Sequence, residues 1–214
     1  PAYTNRGLDF SDVTVRTAAL NMPEYITTHI RAQTLQYFMQ VMYIKLPPSA
    51  DWNTSSVRPF SCFSTALAGF TSDTDLLTIC QAYSSSSNKL RALRMTTGAG
   101  VTQQTQLTPA ADCYESVCQV AFWRDADGDH LTLRGPTGRQ TTTSAPGAAN
   151  SATLTGKYPQ IGITNSFWSN PPAASGDWSV YRGWFEDLEL SGRDPLTVLD
   201  ADWVRTMDER AAFS

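Results

Sequence analysis

The run from Gln36 to Leu46 sets the tightest limit on what this chain can fold into. It reads Gln36-Tyr37-Phe38-Met39-Gln40-Val41-Met42-Tyr43-Ile44-Lys45-Leu46 and stops at Pro47-Pro48. Successive side chains of a strand point to opposite faces, and here both faces are apolar. Such a strand must be covered on both sides, which predicts a central strand. Its neighbours follow the same logic. Ser49 to Pro59 reads as a polar loop carrying Trp52, and Pro59 to Phe70 and Thr74 to Tyr83 read as short strands parted by Gly69 and Thr71-Ser72-Asp73. Ser84 to Asn88 is a hairpin loop, and Lys89 to Met95 returns as a strand.

Cys118 to Arg124 and His130 to Arg134 form the next pair, joined by Asp125-Ala126-Asp127-Gly128-Asp129. An Asp-Gly step between β-rich segments predicts a hairpin, because Gly accepts the positive φ of a tight turn. Residues 135 to 157 are rich in Gly, Thr, Ser, Ala and Pro and suggest no element. Lys157 to Ile163 reads as a strand. A loop from Thr164 to Asp177 carries Trp168, and a strand runs from Ser179 to Ser191. One helix is expected, N-capped by Asp200, with Trp203, Val204, Met207 and Ala211 on its buried face. Short strands at roughly 8 to 12 residue intervals, without repeats or a linker, predict an all-β antiparallel two-sheet jelly-roll sandwich, a single domain over residues 1–214 with a short C-terminal helix.

Composition removes several function classes. At 214 residues the chain can bury a sizeable core, and no run approaches the ~18 apolar residues of a membrane span. The net charge of -4, with no Lys/Arg cluster longer than a pair, leaves no footprint for nucleic acid. Pro1 to Arg6 shows no apolar signal segment, so synthesis in the cytoplasm without an export signal is expected. Cys62, Cys80, Cys113 and Cys118 lack C-x-x-C spacing. They read as four reduced buried thiols, with a Cys62 to Cys80 or Cys113 to Cys118 bridge as the alternative in an oxidising medium.

Candidate chemistry is sparse. Gly-rich nucleotide loops are absent, and only His29 or His130 could serve a catalytic triad, with no G-x-S-x-G turn to hold its serine. Asp125, Asp127 and Asp129 offer alternating oxygens suited to calcium, and the same segment also reads as a plain hairpin tip. No other cofactor is expected. Trp52, Trp168 and Trp178 fall in loops, where an indole can receive a sugar ring, meet a protein partner or pack locally. Trp123, Trp184 and Trp203 are assigned to the core or to helix docking.

Several segments resemble, in order, the laminin-G-like (concanavalin A-like) jelly-roll family. They are Leu8-Asp9-Phe10, Gln36 to Pro48, Val117 to Gly135 with Val120-Ala121-Phe122 and Leu131 to Gly135, Ile161-Gly162, Tyr181 to Arg193, and Leu199 with Asp200 to Arg210. Tyr114 is the nearest aromatic where the family usually has a tryptophan, and Arg134-Gly135 replaces its usual Asn-Gly. The resemblance implies a lectin-like sandwich whose members bind glycans or proteins, with some relatives that cleave polysaccharides. Those hydrolases alternate acids on one strand face. Here Asp187 and Glu189 would share a face with Phe185, and Glu186 would lie opposite beside Trp184 and Leu188, so no enzyme is expected. The resulting expectation is a non-catalytic structural or adhesion protein on the surface of a bacteriophage particle, in its tail or capsid. It would be homo-oligomeric, with other virion proteins and a host cell-surface glycan as partners. The alternative is a free carbohydrate-binding module or a degenerate glycoside hydrolase.

Overall fold

The computed structural model describes residues 2–4, 7–10, 18–52, 58–64, 76–97, 101–150, 158–163 and 177–208. Its strands are β1 (Ala2–Thr4), β2 (Gly7–Asp9), β3 (Ala18–Asn21), β4 (Phe38–Lys45), β5 (Arg58–Ser64), β6 (Leu77–Ser84), β7 (Ser87–Thr97), β8 (Val101–Leu107), β9 (Val117–Arg124), β10 (Asp129–Gly135), β11 (Gly138–Ser144), β12 (Tyr158–Ile163) and β13 (Ser179–Asp187). The helices are α1 (Glu24–Ala32), α2 (Leu188–Ser191) and α3 (Pro195–Trp203), the last continuing into a π turn over Val204–Asp208. One antiparallel sheet has the order β1-β2-β13-β4-β9-β10-β11, and the other runs β3-β12-β5-β6-β7-β8. The expected two-sheet jelly-roll sandwich is therefore the observed fold.

Strand β4 sits at the centre of its sheet, as its sequence requires. Phe38, Met42 and Ile44 face the second sheet in the inner core, while Met39, Val41 and Tyr43 face outward beneath Leu199 and Trp203 of α3. The inner core is aromatic at one end. Trp178 stacks on Phe10 with centroids 4.4 Å apart, and Phe60 meets the same indole edge-on at 5.0 Å. Several polar links cross between the sheets, among them Thr105 Oγ1 of β8 with Ser144 Oγ of β11 at 2.7 Å. Gln40 donates from Nε2 to Ser61 Oγ at 2.8 Å, and Arg94 of β7 pairs through Nε with Asp129 of β10 at 2.7 Å. Arg124 lies beside that pair, and both guanidiniums donate to the carbonyl of Ala148.

Three local expectations change. The C-terminal helix begins six residues early, because Asp194 accepts a hydrogen bond from the Thr197 N–H at 2.7 Å and Pro195 supplies the first helical φ. Asp200 is mid-helix, where it pairs with Arg134 and Arg139, and Val204 is exposed; Ala211 lies outside the described residues. Strand β13 ends at Asp187, whose carboxylate caps α2, and Gly192 closes that turn in the left-handed region at φ 58°. Glu189 therefore leaves the sheet, and accepts hydrogen bonds from the Leu35 and Tyr37 N–H groups. Strands β8 and β11 occupy the polar segments left unassigned. Each is the outer edge of its sheet, so neither needs the apolar pattern by which strands are recognised.

Turn chemistry agrees with the sequence. Ser85 and Ser86 have φ of 52° and 60°, the two left-handed residues of a tight turn between the paired Ser84 and Ser87. Cys80, Cys113 and Cys118 are buried free thiols, and burial pushes the Cys80 thiol up to about 12. The side chain of Cys62 and both chain ends lie outside the described residues.

Candidate functional site

The aspartate hairpin does not gather its carboxylates. Asp125 Oδ1 accepts from the N–H groups of Asp127 and Gly128 and from His130 Nε2, while Oδ2 accepts from Trp123 Nε1 at 2.9 Å. Asp129 is buried and turns to Arg94 on the opposite sheet. With Asp125 committed to its own turn and Asp129 to an ion pair, the structure does not bring Asp125, Asp127 and Asp129, the residues expected to suit calcium, together around one point. Among the described residues no group of three His, Cys, Asp or Glu is placed to hold a metal.

The loop tryptophans also move. Trp52 is 1% exposed, donates to the Pro47 carbonyl and packs against Phe60 and Tyr114. Trp178 is 1% exposed in its stack with Phe10. Neither presents a face to a ligand, because both loops fold their indoles into the inner core. Trp168 lies outside the described residues.

The exposed chemistry collects instead along β13. A bulge between Val180 and Arg182 shifts the register against β4. It lets Val180 point into the inner core while Trp184 faces outward to the cluster beneath α3. Gly183 faces inward, where a Cβ would stand 2.5 Å from Ile161 Cδ1, so a larger residue there would require the end of the Ile161 side chain to move.

Asp202 of α3 organises this outer face. Its Oδ2 accepts from Tyr43 Oη at 3.0 Å and from Trp184 Nε1 at 3.1 Å, and its Oδ1 accepts from Arg182 Nη1 at 2.5 Å. Burial and the adjacent carboxylate keep the Tyr43 hydroxyl protonated well beyond its usual range, so it remains a donor, and it accepts in turn from Gln119 Nε2 at 2.8 Å. The Trp184 indole is thereby pinned by its own N–H.

Two clefts flank that indole. The larger, about 350 Å³, runs between α1 and β13. Ile26, Ile30 and Phe185 give it an apolar wall, and Tyr25, His29, Trp184, Glu186 and Asp187 supply aromatic and polar groups. Tyr25 is 70% exposed. Asp187 accepts from the Leu190 N–H, His29 and Gln33. Burial tends to raise its carboxyl, but those hydrogen bonds outweigh it and hold the group below the usual carboxylate range. The smaller cleft, about 180 Å³, is lined by Arg182, Trp184, Arg193, Val198, Ala201, Asp202 and Arg205. Arg193 grips Glu186 bidentately, through Nε at 2.7 Å and through Nη2.

Sequence reasoning missed the α1 contribution; Trp184 docks against α3 as its assignment to the core or to helix docking expects, and the feature missed there is that the same indole lines both clefts. The start of α1 is weakly marked, with Pro23 at the N-cap making no side-chain cap and Glu24 placing an acid in the first turn. The bulge that turns Trp184 to the surface leaves no signature in the residue types.

The fold and the flanking clefts define an antiparallel jelly-roll sandwich with an aromatic and polar groove on one side. No family model matches the sequence, and no curated protein sequence does. Among solved structures, the chain is similar to the CBM40 module of the Ruminococcus gnavus IT-sialidase, bound to α2,3-sialyllactose. The identity is 13% and the TM-score 0.50, over 87% of this chain and 94% of that one. The enzymatically active domain of tailspike protein 2 from bacteriophage CBA120 matches at 14% identity and TM-score 0.45, over 86% of this chain and 29% of that one. A xylan β-1,4-xylosidase of Bacillus halodurans matches at 8% identity and TM-score 0.45, over 85% of this chain and 32% of that one. The chain spans about a quarter of the full-length tailspike, 25%. At these identities the likeness is one of fold.

Proposed function

We propose that the chain is a non-catalytic glycan-binding module, with the α1/β13 cleft as its sugar site. The observation that carries the reading is the conjunction of Trp184 and the exposed Tyr25 with His29, Glu186 and Asp187 around one groove. A volume of about 350 Å³ suits a small ligand, and sugars are held by aromatic faces together with a few fixed polar groups. A non-catalytic role is supported by the state of the acids. Glycosidases need one carboxyl that carries a proton near neutrality. Here Glu186 is locked to Arg193 and Asp187 is held ionised.

The laminin-G-like kinship, self-association and a place on the surface of a bacteriophage particle, beside other virion proteins, belong to the same proposal. Mass spectrometry of purified particles tests the last point. The site itself is tested on a glycan array followed by calorimetry with Tyr25→Ala and Trp184→Ala. Tyr25 is exposed, so its variant keeps the fold, and both should weaken binding at least tenfold. Absence of any glycan ligand at millimolar concentration, or binding untouched by both variants, would remove the site.

A further inference from the structure

We propose that the arginine cleft is an acid-recognition subsite. It would take the carboxylate of an acidic sugar, a uronate or sialate, whose neighbouring ring lies in the α1/β13 cleft. This rests on the glycan-binding reading and adds the ligand's chemical class.

The first ground is the supply of donors. A guanidinium carries five N–H donors in a planar fork that matches a carboxylate. Arg182 uses Nη1 on Asp202 and Thr206, and Arg193 uses Nε and Nη2 on Glu186. The remaining donors of both have no hydrogen-bond partner among the described residues. Arg205 is exposed, and none of its five donors has such a partner either. Their carboxylate partners hold Arg182 and Arg193 in place before any ligand arrives, which lowers the ordering cost of binding.

Charge is the second ground. Three guanidiniums meet two carboxylates, Asp202 and Glu186, leaving one positive charge in excess along this wall. The Asp202 carboxylate is turned inward to Tyr43 and Trp184 as well. The chain as a whole carries -4, so its general field repels an acidic ligand, and only a local positive site could admit one.

Continuity is the third. Trp184 lines both clefts, so a sugar on one side of the indole places a ring substituent within reach of the other. A partner of opposite sign, such as a basic glycan, would meet three arginines there.

The experiment uses an array of sialylated, uronate-bearing, sulfated and neutral oligosaccharides, probed with the wild-type chain and with Arg205→Ala, Arg205→Lys and Tyr25→Ala. Arg205 is at the surface, and circular dichroism checks that each variant keeps the fold. The expected result is binding confined to carboxylate-bearing glycans, weakened at least tenfold in Arg205→Ala and less in Arg205→Lys, which keeps the charge but not the fork. Affinity should fall as salt rises. Binding of neutral glycans that needs Tyr25 and ignores Arg205 would overturn the subsite and leave the sugar site standing. Binding restricted to sulfated glycans would overturn the carboxylate assignment. Failure of every glycan would overturn both.

Discussion

Replacing Asp202 with alanine should cost about 3 kcal/mol of stability, and the sum can be built from its three donors. Tyr43 is fully buried, and Trp184 is half-buried with its N–H on the same oxygen. Leaving a buried donor unpaired costs about 1–3 kcal/mol each. The Arg182 side chain is 40% exposed, so water takes over much of that interaction and it adds little. The assay is urea unfolding. With a slope of about 2 kcal/mol/M, the midpoint should fall by about 1.5 M at unchanged slope. Tyr43→Phe alone should cost about 1–2 kcal/mol, and clearly less when Asp202 is already alanine, because the hydroxyl it removes has then lost its acceptor and keeps only the Gln119 N–H as a partner. A loss below about 1 kcal/mol for Asp202→Ala, or full additivity with Tyr43→Phe, would show that the network does not hold the outer face together.

Other substitutions test the remaining geometry. Gly128→Ala and Gly138→Ala both place a side chain at strongly positive φ, but only the first sets a Cβ 2.1 Å from the Ser144 carbonyl oxygen. Thermal melts should therefore show Gly128→Ala to be the more damaging by several-fold. Trp178→Ala should cost about 3–5 kcal/mol by emptying a site between Phe10 and Phe60, measured by urea unfolding. Acid should destabilise the fold. Hydrogen bonds from Thr137 and Thr197 lower the carboxyls of Asp112 and Asp194, and at Asp125 and Asp187 burial raises the carboxyl but hydrogen bonds outweigh it. A depressed folded value means that the unfolded chain takes up protons first. This stability is thus complete above the unfolded value near about 4 and is lost as pH falls through the folded values. Asp129, raised by burial, acts in the opposite sense. Urea midpoints at pH 7 and pH 3 should differ less in Asp125→Asn and Asp187→Asn than in the wild type.

The sandwich was legible because its central strand announces itself. Phe38 to Lys45 is apolar on both faces, and the structure covers both. The Asp-Gly hairpin was legible because Gly128 meets a local conformational demand, and the serine turn because a polar run parts two apolar segments, although Ser85 and Ser86 take positive φ that serine does not favour. The edges were not, since Thr and Gln in β8 and β11 serve a solvated edge as well as a loop. The site was hardest. An indole in a loop reads as exposed, yet Trp52 and Trp178 turn inward because apolar area gains most when removed from water. Trp184, read as core or helix docking, does dock against α3, but its place along the two clefts follows from a register shift set by the pairing of β13 with β4 rather than by its own neighbours in sequence.

Oil has no alignment. Two greasy sheets pressed together gain the same free energy over a range of lateral offsets, because apolar attraction is non-directional. The Gln40 to Ser61 and Arg94 to Asp129 bonds are directional, and they bridge the layers inside that contact. They act as dowels between two boards, setting one offset and one rotation of layer on layer. The β13 groove is built on one sheet and α1 contacts β12 of the other, so the width of the groove is fixed by how the layers are pegged. Replacing all of these pairs, Thr105 with Ser144 included, by apolar residues of similar size should leave the melting temperature nearly unchanged while broadening the NMR signals of Trp184 and Tyr25. Sharp signals in such a variant would show that packing alone sets the alignment.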